Sequence, residues 1–499
     1  MGMATRGETL SMSFGFDRIG PHETHFAEGT LAMLVRIAFA LTVLAAVMLP
    51  QAAVRAQGAP LQPGPGEGLF LIVTDIHFDP FTVPALVPAL DRNPVSEWSQ
   101  IFAKGAKGVI RSYQHDAGYA LTVSALQAAA AQNMTYDYVL YTGDYLSHDF
   151  NSDYLKHAGP SPQGHTSFAI KTAQYVSLLL EESFGGIPVY GVLGNTDSAC
   201  GDYEIAPDSP FTAGIADQWA TLSRQPMRFD RFRTGGYYKV AHPTLADQDI
   251  IVLNNIFWTP RYADSCGAGG GDPGGAMMTW LENELARTRK AGRKAQILMH
   301  VPPGINAYST VHGTGSCDAR ISPFWHDRYS GKFVDLMRKY SVVVEYTFSG
   351  HTHMDSFAII ADTDGTPLVA SQITPAVSPV FGNNPAFTAF LYDRTSGAIR
   401  DSATFYMPNL SAAAQGARPD WQLEYVYRST YALQDLSPAS RAALAARIKN
   451  DKTLRARFDD LYAVKAHSRQ ITDSNWQAYA CAQSTINRTA YETCYCTGN

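Results

Sequence analysis

The tetrapeptide Gly350-His351-Thr352-His353 follows an apolar stretch that includes Val342-Val343-Val344 and Tyr346-Thr347-Phe348. A β-branched and aromatic run that ends in glycine predicts a buried strand with two imidazoles at its C-terminal end. Imidazole is a common ligand of zinc, iron and nickel, and glycine lets the backbone turn tightly beside it. A polar strand end without metal explains the histidine pair equally well, so the interpretation depends on the other strand ends.

Four further apolar runs end in polar residues of the same kind. The strands predicted at residues 69–73, 136–141, 187–193 and 295–299 are followed by Asp75 and His77, Asp144, Asn195, and His300. Helical patterns separate several of these strands, as in residues 117–134 and 167–183. Alternation of strands and helices predicts an α/β fold, in which polar strand ends face one crevice.

Seven side chains therefore form a candidate metal centre: Asp75, His77, Asp144, Asn195, His300, His351 and His353. Carboxylates, an amide oxygen and imidazoles are the ligand types of a two-metal hydrolase, in which one carboxylate bridges the ions. Two ions ~3.5–4 Å apart can hold a hydroxide and clamp a phosphate. Each strand end alone is a weak signal, but the five together predict a hydrolase.

Composition limits the partners and the general class of the protein. The 499 residues suffice for one large domain with a satellite, or for two domains. With 39 Lys and Arg against 45 Asp and Glu, the chain is mildly acidic and shows no basic stripe, so we predict no nucleic-acid-binding patch. A hydrophobic content of 45% predicts a globular protein with a substantial core. Oligomeric state is left open.

The N-terminus predicts export from the cytoplasm. Arg36 precedes an apolar run over residues 37–49, and Val54-Arg55-Ala56 has small residues at the positions that signal peptidase needs. We interpret residues 1–56 as a signal peptide, with Met33 as the predicted start and an extension before it. The run is too short for a comfortable membrane span. We therefore expect a secreted or periplasmic protein without a transmembrane segment after cleavage.

Three segments follow the predicted cleavage site. Residues 57–68 are rich in proline and glycine and predict a flexible leader. Residues 69–414 contain all the strand-end motifs and form the predicted catalytic domain. Residues 412–420 are rich in Ala, Gly and Pro, and the pattern from Trp421 onward is helical, so residues 415–499 are predicted to be a helical C-terminal domain.

The cysteines are interpreted as disulfides because the protein is expected outside the cytoplasm. Cys494 and Cys496 are separated by one residue, and no second pair lies nearby at zinc-finger spacing. With Cys200, Cys266, Cys317 and Cys481 they make six, which allow 15 connectivities. The spacing of the residues does not choose among these.

The series Asp-x-His, Gly-Asp, Gly-Asn-x-Asp, His and Gly-His-x-His resembles the calcineurin-like metallophosphoesterases. Flanking residues are similar to those of the acid sphingomyelinase-like branch: Asp79-Pro80, His148-Asp149, His300-Val301-Pro302-Pro303-Gly304, Asp355, Asn384-Pro385 and Tyr392-Asp393. The resemblance implies a four-layer sandwich of two mixed β-sheets flanked by helices, with an α-helical C-terminal unit. It covers residue 69 to the end.

The resemblance also implies a role for each motif residue. One metal is held by Asp75, His77, Asp144 and His353, and the other by Asp144, Asn195, His300 and His351. Zinc is the usual metal of the family, and iron or manganese is compatible with these ligands. His148 is expected to contact the substrate phosphate or protonate the leaving group, with Asp149 orienting it.

Two disulfides are implied by the resemblance, Cys266–Cys317 and Cys481–Cys494. Cys200 and Cys496 remain unassigned. One departure from the family pattern is Thr196, where the family usually has histidine. A hydroxyl can donate a hydrogen bond to phosphate but cannot shuttle protons at neutral pH, so the acid role falls more on His148.

A second departure concerns the substrate. The first catalytic strand begins at Leu69, directly after the leader, whereas acid sphingomyelinase has a saposin domain that lifts lipid from the membrane. We expect a sphingomyelinase-like hydrolase that cleaves a phosphodiester by metal-activated hydroxide. The alternative is a phosphoanhydride hydrolase acting on nucleotides or polyphosphate, which the missing saposin domain favours. A third interpretation, motivated by Thr196, is an inactive metal-bearing binding protein.

Overall fold

The computed structural model describes residues 60–159, 163–225, 230–265, 270–466 and 470–497. The predicted signal peptide, residues 57–59 of the adjoining leader and Cys266 lie outside these residues. Within these ranges, no helix is both long enough and apolar enough to cross a membrane.

The first sheet contains the strand that carries Asp75 and His77 at its end. Its strands are β1 (Glu67–Val73), β2 (Tyr138–Tyr141), β3 (Val189–Gly191), β10 (Ala386–Asp393), β11 (Ile399–Tyr406) and β12 (Gln422–Val426). They lie in the order β12-β11-β10-β1-β2-β3. The strands β1, β2 and β3 are parallel, and the others join them as antiparallel neighbours.

The second sheet contains the strand that leads to Gly350-His351. Its strands are β4 (Tyr238–Ala241), β5 (Gln248–Val252), β6 (Lys294–Leu298), β7 (Val344–Ser349), β8 (Ser356–Ala361) and β9 (Pro367–Ile373). They lie in the order β4-β5-β6-β7-β9-β8. The central strands β5, β6, β7 and β9 are parallel, whereas β4 and β8 are antiparallel edges.

Helices separate and cover these strands. Their bounds are α1 (Val87–Arg92), α2 (Trp98–Gly105), α3 (Tyr119–Ala130), α4 (Phe150–His157), α5 (His165–Phe184), α6 (Pro210–Leu222), α7 (Asp230–Gly235), α8 (Pro273–Lys290), α9 (Ala307–His312), α10 (Asp327–Lys339), α11 (Leu410–Ala413), α12 (Tyr427–Tyr431), α13 (Pro438–Asn450), α14 (Lys452–Tyr462), α15 (Trp476–Ser484) and α16 (Arg488–Cys496). Short 3-10 helices lie at Pro84–Leu86, Val95–Glu97 and Asn255–Trp258.

The two sheets pack face to face through buried aromatic residues. The ring centroid of Phe70 lies 5.5 Å from that of Phe348 in an edge-to-face contact. Gln296 Nε2 donates to Tyr138 Oη at 3.1 Å, which links the second sheet to the first. Burial on both faces explains why the parallel strands are almost continuously apolar. The predicted α/β sandwich of two mixed sheets flanked by helices is confirmed.

Register brings the predicted site residues to one edge of the sandwich. In the first sheet Val73 pairs with Tyr141, and Tyr141 pairs with Gly191, so β1, β2 and β3 end side by side. In the second sheet Leu298 pairs with Phe348, so β6 and β7 also end together. The carboxyl ends of parallel strands share one edge of a sheet, and ligands bind there in α/β proteins.

The C-terminal region differs from its predicted pattern in one place. Gln422–Val426 is a strand, so the helix prediction from Trp421 onward is wrong for these residues. They pair with β11, with Tyr425 opposite Thr404 and Val426 opposite Ala403. Pairing with an existing sheet edge decides the conformation of so short a segment. The helices that follow agree with the pattern, and the domain division at residue 415 stays a prediction.

Two disulfides connect the described parts of the chain. Cys481 is bonded to Cys494, as expected, but Cys317 is bonded to Cys496, so the expected Cys266–Cys317 bridge is wrong. The loop around Cys317 lies against the last helix, where the guanidinium of Arg320 stands 5.6 Å from the Tyr495 ring centroid. Cys200 is also disulfide-bonded.

We expect the Cys317–Cys496 disulfide to stabilise the protein more than Cys481–Cys494. The first spans 179 residues and the second 13, and closing a longer loop removes more entropy from the unfolded chain. Replacing both cysteines of the longer loop with serine should lower the free energy of unfolding by roughly 2–5 kcal/mol. Guanidinium titration of the two double variants measures the difference. A larger loss from the 13-residue loop would contradict it.

Candidate active site

Five of the seven predicted metal ligands adopt a backbone conformation that non-glycine residues rarely use. Their φ angles are 46° for Asp75, 45° for His77, 59° for Asp144, 71° for His351 and 63° for His353. Such a conformation costs about 1–3 kcal/mol per residue and persists only where surrounding contacts impose it. Its concentration at converging side chains is typical of a functional site.

Asp75, His77 and His353 form the first cluster. The Nε2 atoms of the two histidines are 3.1 Å apart, and Asp75 Oδ1 lies 3.6 Å from His353 Nε2 and 3.9 Å from His77 Nε2. All three side chains are fully buried. Together with Asp144 they are the residues of the first ligand set that the family resemblance implies.

Asp144 joins this cluster to a second one. Its Oδ2 atom lies 3.2 Å from His77 Nε2 and 3.0 Å from His300 Nε2. Beyond it, Asn195 Oδ1 lies 3.0 Å from His300 Nε2 and 2.8 Å from His351 Nδ1. One carboxylate therefore stands between two groups of nitrogen and oxygen ligands, where a bridging ligand has to lie.

Hydrogen bonds to backbone carbonyls determine which ring nitrogen faces the centre. The Nδ1 atom of His77 donates to Leu146 O at 3.0 Å, that of His300 to Thr142 O at 2.7 Å, and that of His353 to Ser378 O at 3.2 Å. A carbonyl only accepts, so each Nδ1 carries a proton and, in the neutral ring, Nε2 presents a lone pair.

The arrangement of these lone pairs indicates whether the site can hold a cation. The Nε2 atoms of His77 and His353 face each other at 3.1 Å, and two lone pairs at that distance repel unless positive charge lies beside them. His300 Nε2 likewise faces only acceptor oxygens, from Asp144 and Asn195. The donor set therefore fits divalent metal ions, with imidazole, carboxylate and amide ligands.

Burial and the negative charge of Asp144 act against each other on the pKa values of His77 and His300, the two histidines beside this carboxylate. Burial lowers the pKa of His77, but the charge of Asp144 and its hydrogen bond raise that pKa to about 10. The pKa of His300 rises to about 9 through the same opposing effects. Burial raises the pKa of Asp144, yet the charges of His300 and His77 hold it well below its usual range. Asp144 is thus a carboxylate that needs cationic neighbours.

Thr196 contacts the bridging carboxylate. Its backbone N–H donates to Asp144 Oδ1 at 3.0 Å, and its Oγ1 lies 3.0 Å from the same oxygen and 2.8 Å from Leu146 O. The hydroxyl proton is therefore directed to one of these two oxygens. These contacts hold Thr196 against Asp144, and the expected hydrogen bond from Thr196 to a substrate phosphate stays a prediction.

Asp197, the last residue of Gly-Asn-x-Asp, is a supporting residue that the predicted ligand set omits. Its carboxylate accepts hydrogen bonds from the backbone N–H groups of Gly194 at 2.7 Å, Asp144 at 2.9 Å and Tyr145 at 2.6 Å. These bonds tie the loop after β3 to the loop after β2. The presence of Asp197 in the Gly-Asn-x-Asp motif was the feature of the sequence that could have indicated this role.

His148 lies beside the first cluster and lines the cavity above it. Its ring stacks on that of His77 with centroids 4.2 Å apart. Asp116 holds it: His148 Nδ1 lies 3.0 Å from Asp116 Oδ2, and the backbone N–H of His148 donates to the same oxygen at 2.7 Å. With Nδ1 occupied, Nε2 is the ring nitrogen left for a substrate.

The prediction that Asp149 orients His148 is wrong. Asp149 is exposed and has a φ of 56°, which turns the chain into α4, whereas Asp116 makes the orienting contact. Asp116 stands before α3 and outside any strand-end motif, so no sequence pattern indicates this role. Ser378 Oγ, 262 positions away, donates to Asp116 Oδ1 at 2.9 Å and completes the arrangement.

We expect Asp116→Asn to lower kcat about 10- to 100-fold while both metal ions remain bound. The amide has one acceptor oxygen instead of two, so it cannot satisfy His148 Nδ1, the His148 N–H and Ser378 together. Steady-state kinetics and metal analysis measure the two effects. Asp217→Asn, on a side chain that is 88% exposed, is the matched control. Unchanged kcat in Asp116→Asn would contradict this role.

A second supporting network lies behind Asn195 and His351. Asn195 Nδ2 donates to Asp202 Oδ1 at 2.7 Å, which turns Asn195 Oδ1 toward the two histidines. Tyr203 Oη lies 3.2 Å from His351 Nε2. Arg261 joins both residues, with an ion pair to Asp202 at 3.0 Å and its guanidinium 4.2 Å from the Tyr203 ring centroid. None of these three residues was predicted from the sequence.

A cavity of about 460 Å³ opens onto the clustered ligands. Asp144, Asn195, His351 and His353 line one end of it together with His148. Tyr308 and Phe381, which are 52% and 49% exposed, also line it. A small phosphoester can therefore reach the predicted metal ligands and His148 from one space.

Comparison with known proteins agrees with this geometry. Residues 68–355 match the calcineurin-like phosphoesterase family, and residues 366–498 match the acid sphingomyelin phosphodiesterase C-terminal region. The chain is 28% identical over 451 residues to acid sphingomyelinase-like phosphodiesterase 3b of Homo sapiens, which covers 86% of this chain and 90% of that protein.

Two other relatives carry more specific names. Cyclic GMP-AMP phosphodiesterase SMPDL3A of Mus musculus is 27% identical, with 88% of this chain and 94% of that protein covered. Sphingomyelinase phosphodiesterase C of Dictyostelium discoideum is 26% identical, with 75% and 80% covered. The first family match spans more than half of the sequence, so this chain belongs to the calcineurin-like phosphoesterases.

Proposed function

We propose that this protein is a dinuclear-metal phosphodiesterase of the acid sphingomyelinase-like branch. The observation that carries the proposal is the position of Asp144 Oδ2, 3.2 Å from His77 Nε2 and 3.0 Å from His300 Nε2. This carboxylate joins two ligand clusters that open into one cavity. The names of the relatives, all phosphodiesterases, support a diester as the substrate.

When bound, two divalent ions supply Lewis acidity and a hydroxide nucleophile at neutral pH. One ion would be held by Asp75, His77, Asp144 and His353, and the other by Asp144, Asn195, His300 and His351. Zinc is the proposed metal because four of the seven ligands are imidazoles, with iron and manganese as alternatives.

The protein supplies the proton for the leaving group. His148 Nδ1 is held by Asp116, so the protonated ring would donate from Nε2 to the departing oxygen. Stacking on His77 keeps the imidazole next to the ligand cluster. Thr196 and Asp197 hold Asp144 in place and move no proton.

We further propose that the protein acts outside the cytoplasm, as a secreted or periplasmic enzyme. The apolar run after Arg36 and the two described disulfides support this location. Mass determination of the N-terminus of the exported protein tests cleavage after Ala56.

The experiment that tests the proposed function compares substrate classes. The zinc-loaded protein is incubated with bis(4-nitrophenyl) phosphate, ATP, polyphosphate and sphingomyelin micelles, and initial rates are measured. We expect the diesters to turn over fastest. Faster hydrolysis of ATP or polyphosphate would support the phosphoanhydride alternative. Two bound metal ions without turnover of any substrate would contradict both and leave a binding protein.

A further inference from the structure

Two parts of the cavity wall differ in chemistry. The part described above carries carboxylates and imidazoles. The other part, the uncharged end, consists of residues from β8, β9 and the C-terminal helix α15, namely Phe357, Ala358, Ile373, Tyr479 and Gln483. None of these five side chains is charged, and the first three are apolar.

Gln483 and Tyr479 bring polar atoms to this uncharged end, and these atoms lack hydrogen-bond partners among the described residues. The two residues are 1% and 3% exposed. Neither Nε2 nor Oε1 of Gln483, nor the Oη of Tyr479, has a hydrogen-bond partner among the described residues. Buried polar side chains are almost always hydrogen-bonded, so these three atoms of the cavity wall keep unused hydrogen-bonding capacity.

The helix that carries these residues is held firmly. Cys481 lies between them and is bonded to Cys494 on α16. The rings of Tyr479 and Tyr462 meet edge to face at 5.3 Å, and Tyr491 Oη donates to Ala478 O at 3.2 Å. The pair is therefore presented to the cavity by a rigid support, which is what a specificity site requires.

The chemistry of the pair defines the group it can accept. A primary amide offers a donor and an acceptor side by side, and the phenol offers one more of either kind. Among the five residues at this end, a cationic group would find no carboxylate and a phosphate would find no cation. A hydrocarbon would leave the Gln483 amide unsatisfied, which is unfavourable.

We propose that Gln483 and Tyr479 form a specificity subsite for a neutral group with adjacent N–H and C=O, the edge of an amide or of a nucleobase. The proposal rests on the proposed function, because it assigns the part of the diester remote from the scissile bond. Two classes of substrate carry such an edge, a nucleotide diester and an amide-bearing lipid diester. A site that hydrogen-bonds such an edge discriminates strongly against analogues without it.

The experiment measures kcat and KM of the zinc-loaded full-length protein on matched substrates. Thymidine 5′-(4-nitrophenyl phosphate) has the edge, its N3-methyl analogue lacks the N–H, and bis(4-nitrophenyl) phosphate has no such edge. Sphingomyelin micelles supply the lipid amide. The variants are Gln483→Met, which keeps the length of the side chain, and Tyr479→Phe. Gln477→Met, on the same helix, is the matched control because Gln477 is not among the described cavity-lining residues.

We expect Gln483→Met to lower kcat/KM at least tenfold on either the thymidine diester or sphingomyelin, mainly through KM. The ratio of this kcat/KM to that for bis(4-nitrophenyl) phosphate should fall by the same factor. The substrate whose kcat/KM falls shows whether the subsite accepts a nucleobase or a lipid amide. Wild type should prefer thymidine over its N3-methyl analogue by a similar factor if the source is a nucleobase. The melting temperature should not fall, because an unsatisfied amide is removed.

Three results would overturn the subsite. One is an equal loss on bis(4-nitrophenyl) phosphate, which indicates a structural role. Another is that Gln483→Met leaves the ratio of kcat/KM to that for bis(4-nitrophenyl) phosphate unchanged for every substrate, which indicates that water alone occupies this end. The third is an equal loss in Gln477→Met. Absence of wild-type turnover on bis(4-nitrophenyl) phosphate, by contrast, would count against the proposed function itself.

Discussion

Asp144→Asn should lower kcat/KM for bis(4-nitrophenyl) phosphate about 10²- to 10³-fold, the loss expected when a central electrostatic group of an active site is removed. The substitution keeps the shape of the side chain but removes the negative charge that His77 and His300 both face, at 3.2 and 3.0 Å. It also replaces one ligand oxygen by an amide nitrogen that cannot bind metal. We expect metal content to fall below two ions per chain, which plasma mass spectrometry measures.

The folded state of the Asp144→Asn variant shows whether its loss of activity arises from the site or from misfolding. Asp144 is buried between two histidines whose pKa values it raises, so the asparagine variant should keep these imidazoles neutral at pH 7 and remain folded. Circular dichroism checks the fold, and Asp217→Asn is the surface control. A folded Asp144→Asn protein that binds two ions and keeps a tenth of wild-type activity would exclude Asp144 as the bridging ligand.

His148→Ala should lower kcat about 10²- to 10⁴-fold on diesters with an alkoxide leaving group, the range of general acid catalysis. His148 lines the cavity, and its Nε2 is the ring nitrogen that Asp116 leaves free. The effect should be much smaller on bis(4-nitrophenyl) phosphate, because 4-nitrophenolate departs without a proton. Both metal ions should stay bound, since His148 stacks on His77 without belonging to either predicted ligand set.

The leaving-group comparison gives this prediction its control. Equal losses on alkyl and nitrophenyl diesters would show that His148 binds phosphate instead of donating a proton. Full activity on both, with two metal ions present, would remove His148 from the reaction. His165→Ala, on an exposed histidine at the start of α5, should leave both rates unchanged.

Much of the fold could be predicted from the local pattern of apolar residues. The features that could not be predicted all depend on contacts between distant parts of the chain. The parallel strands β1, β2, β6 and β7 were predicted because strands buried on both faces are continuously apolar. The antiparallel β12 was not, because its five residues carry too little pattern and pair with β11 only in the folded chain. The Cys317–Cys496 bond joins residues 179 positions apart, a contact that spacing cannot reveal.

The sequence by itself determined the identity of the candidate metal ligands, because each stands directly after an apolar strand and parallel strands end at one edge. The tertiary structure decided which groups support them. Asp116, Asp202 and Tyr203 lie in loops without a periodic signal, and they reach His148, Asn195 and His351 only through folding. Ligand chemistry is encoded in local motifs, whereas orientation depends on contacts between segments far apart in the chain.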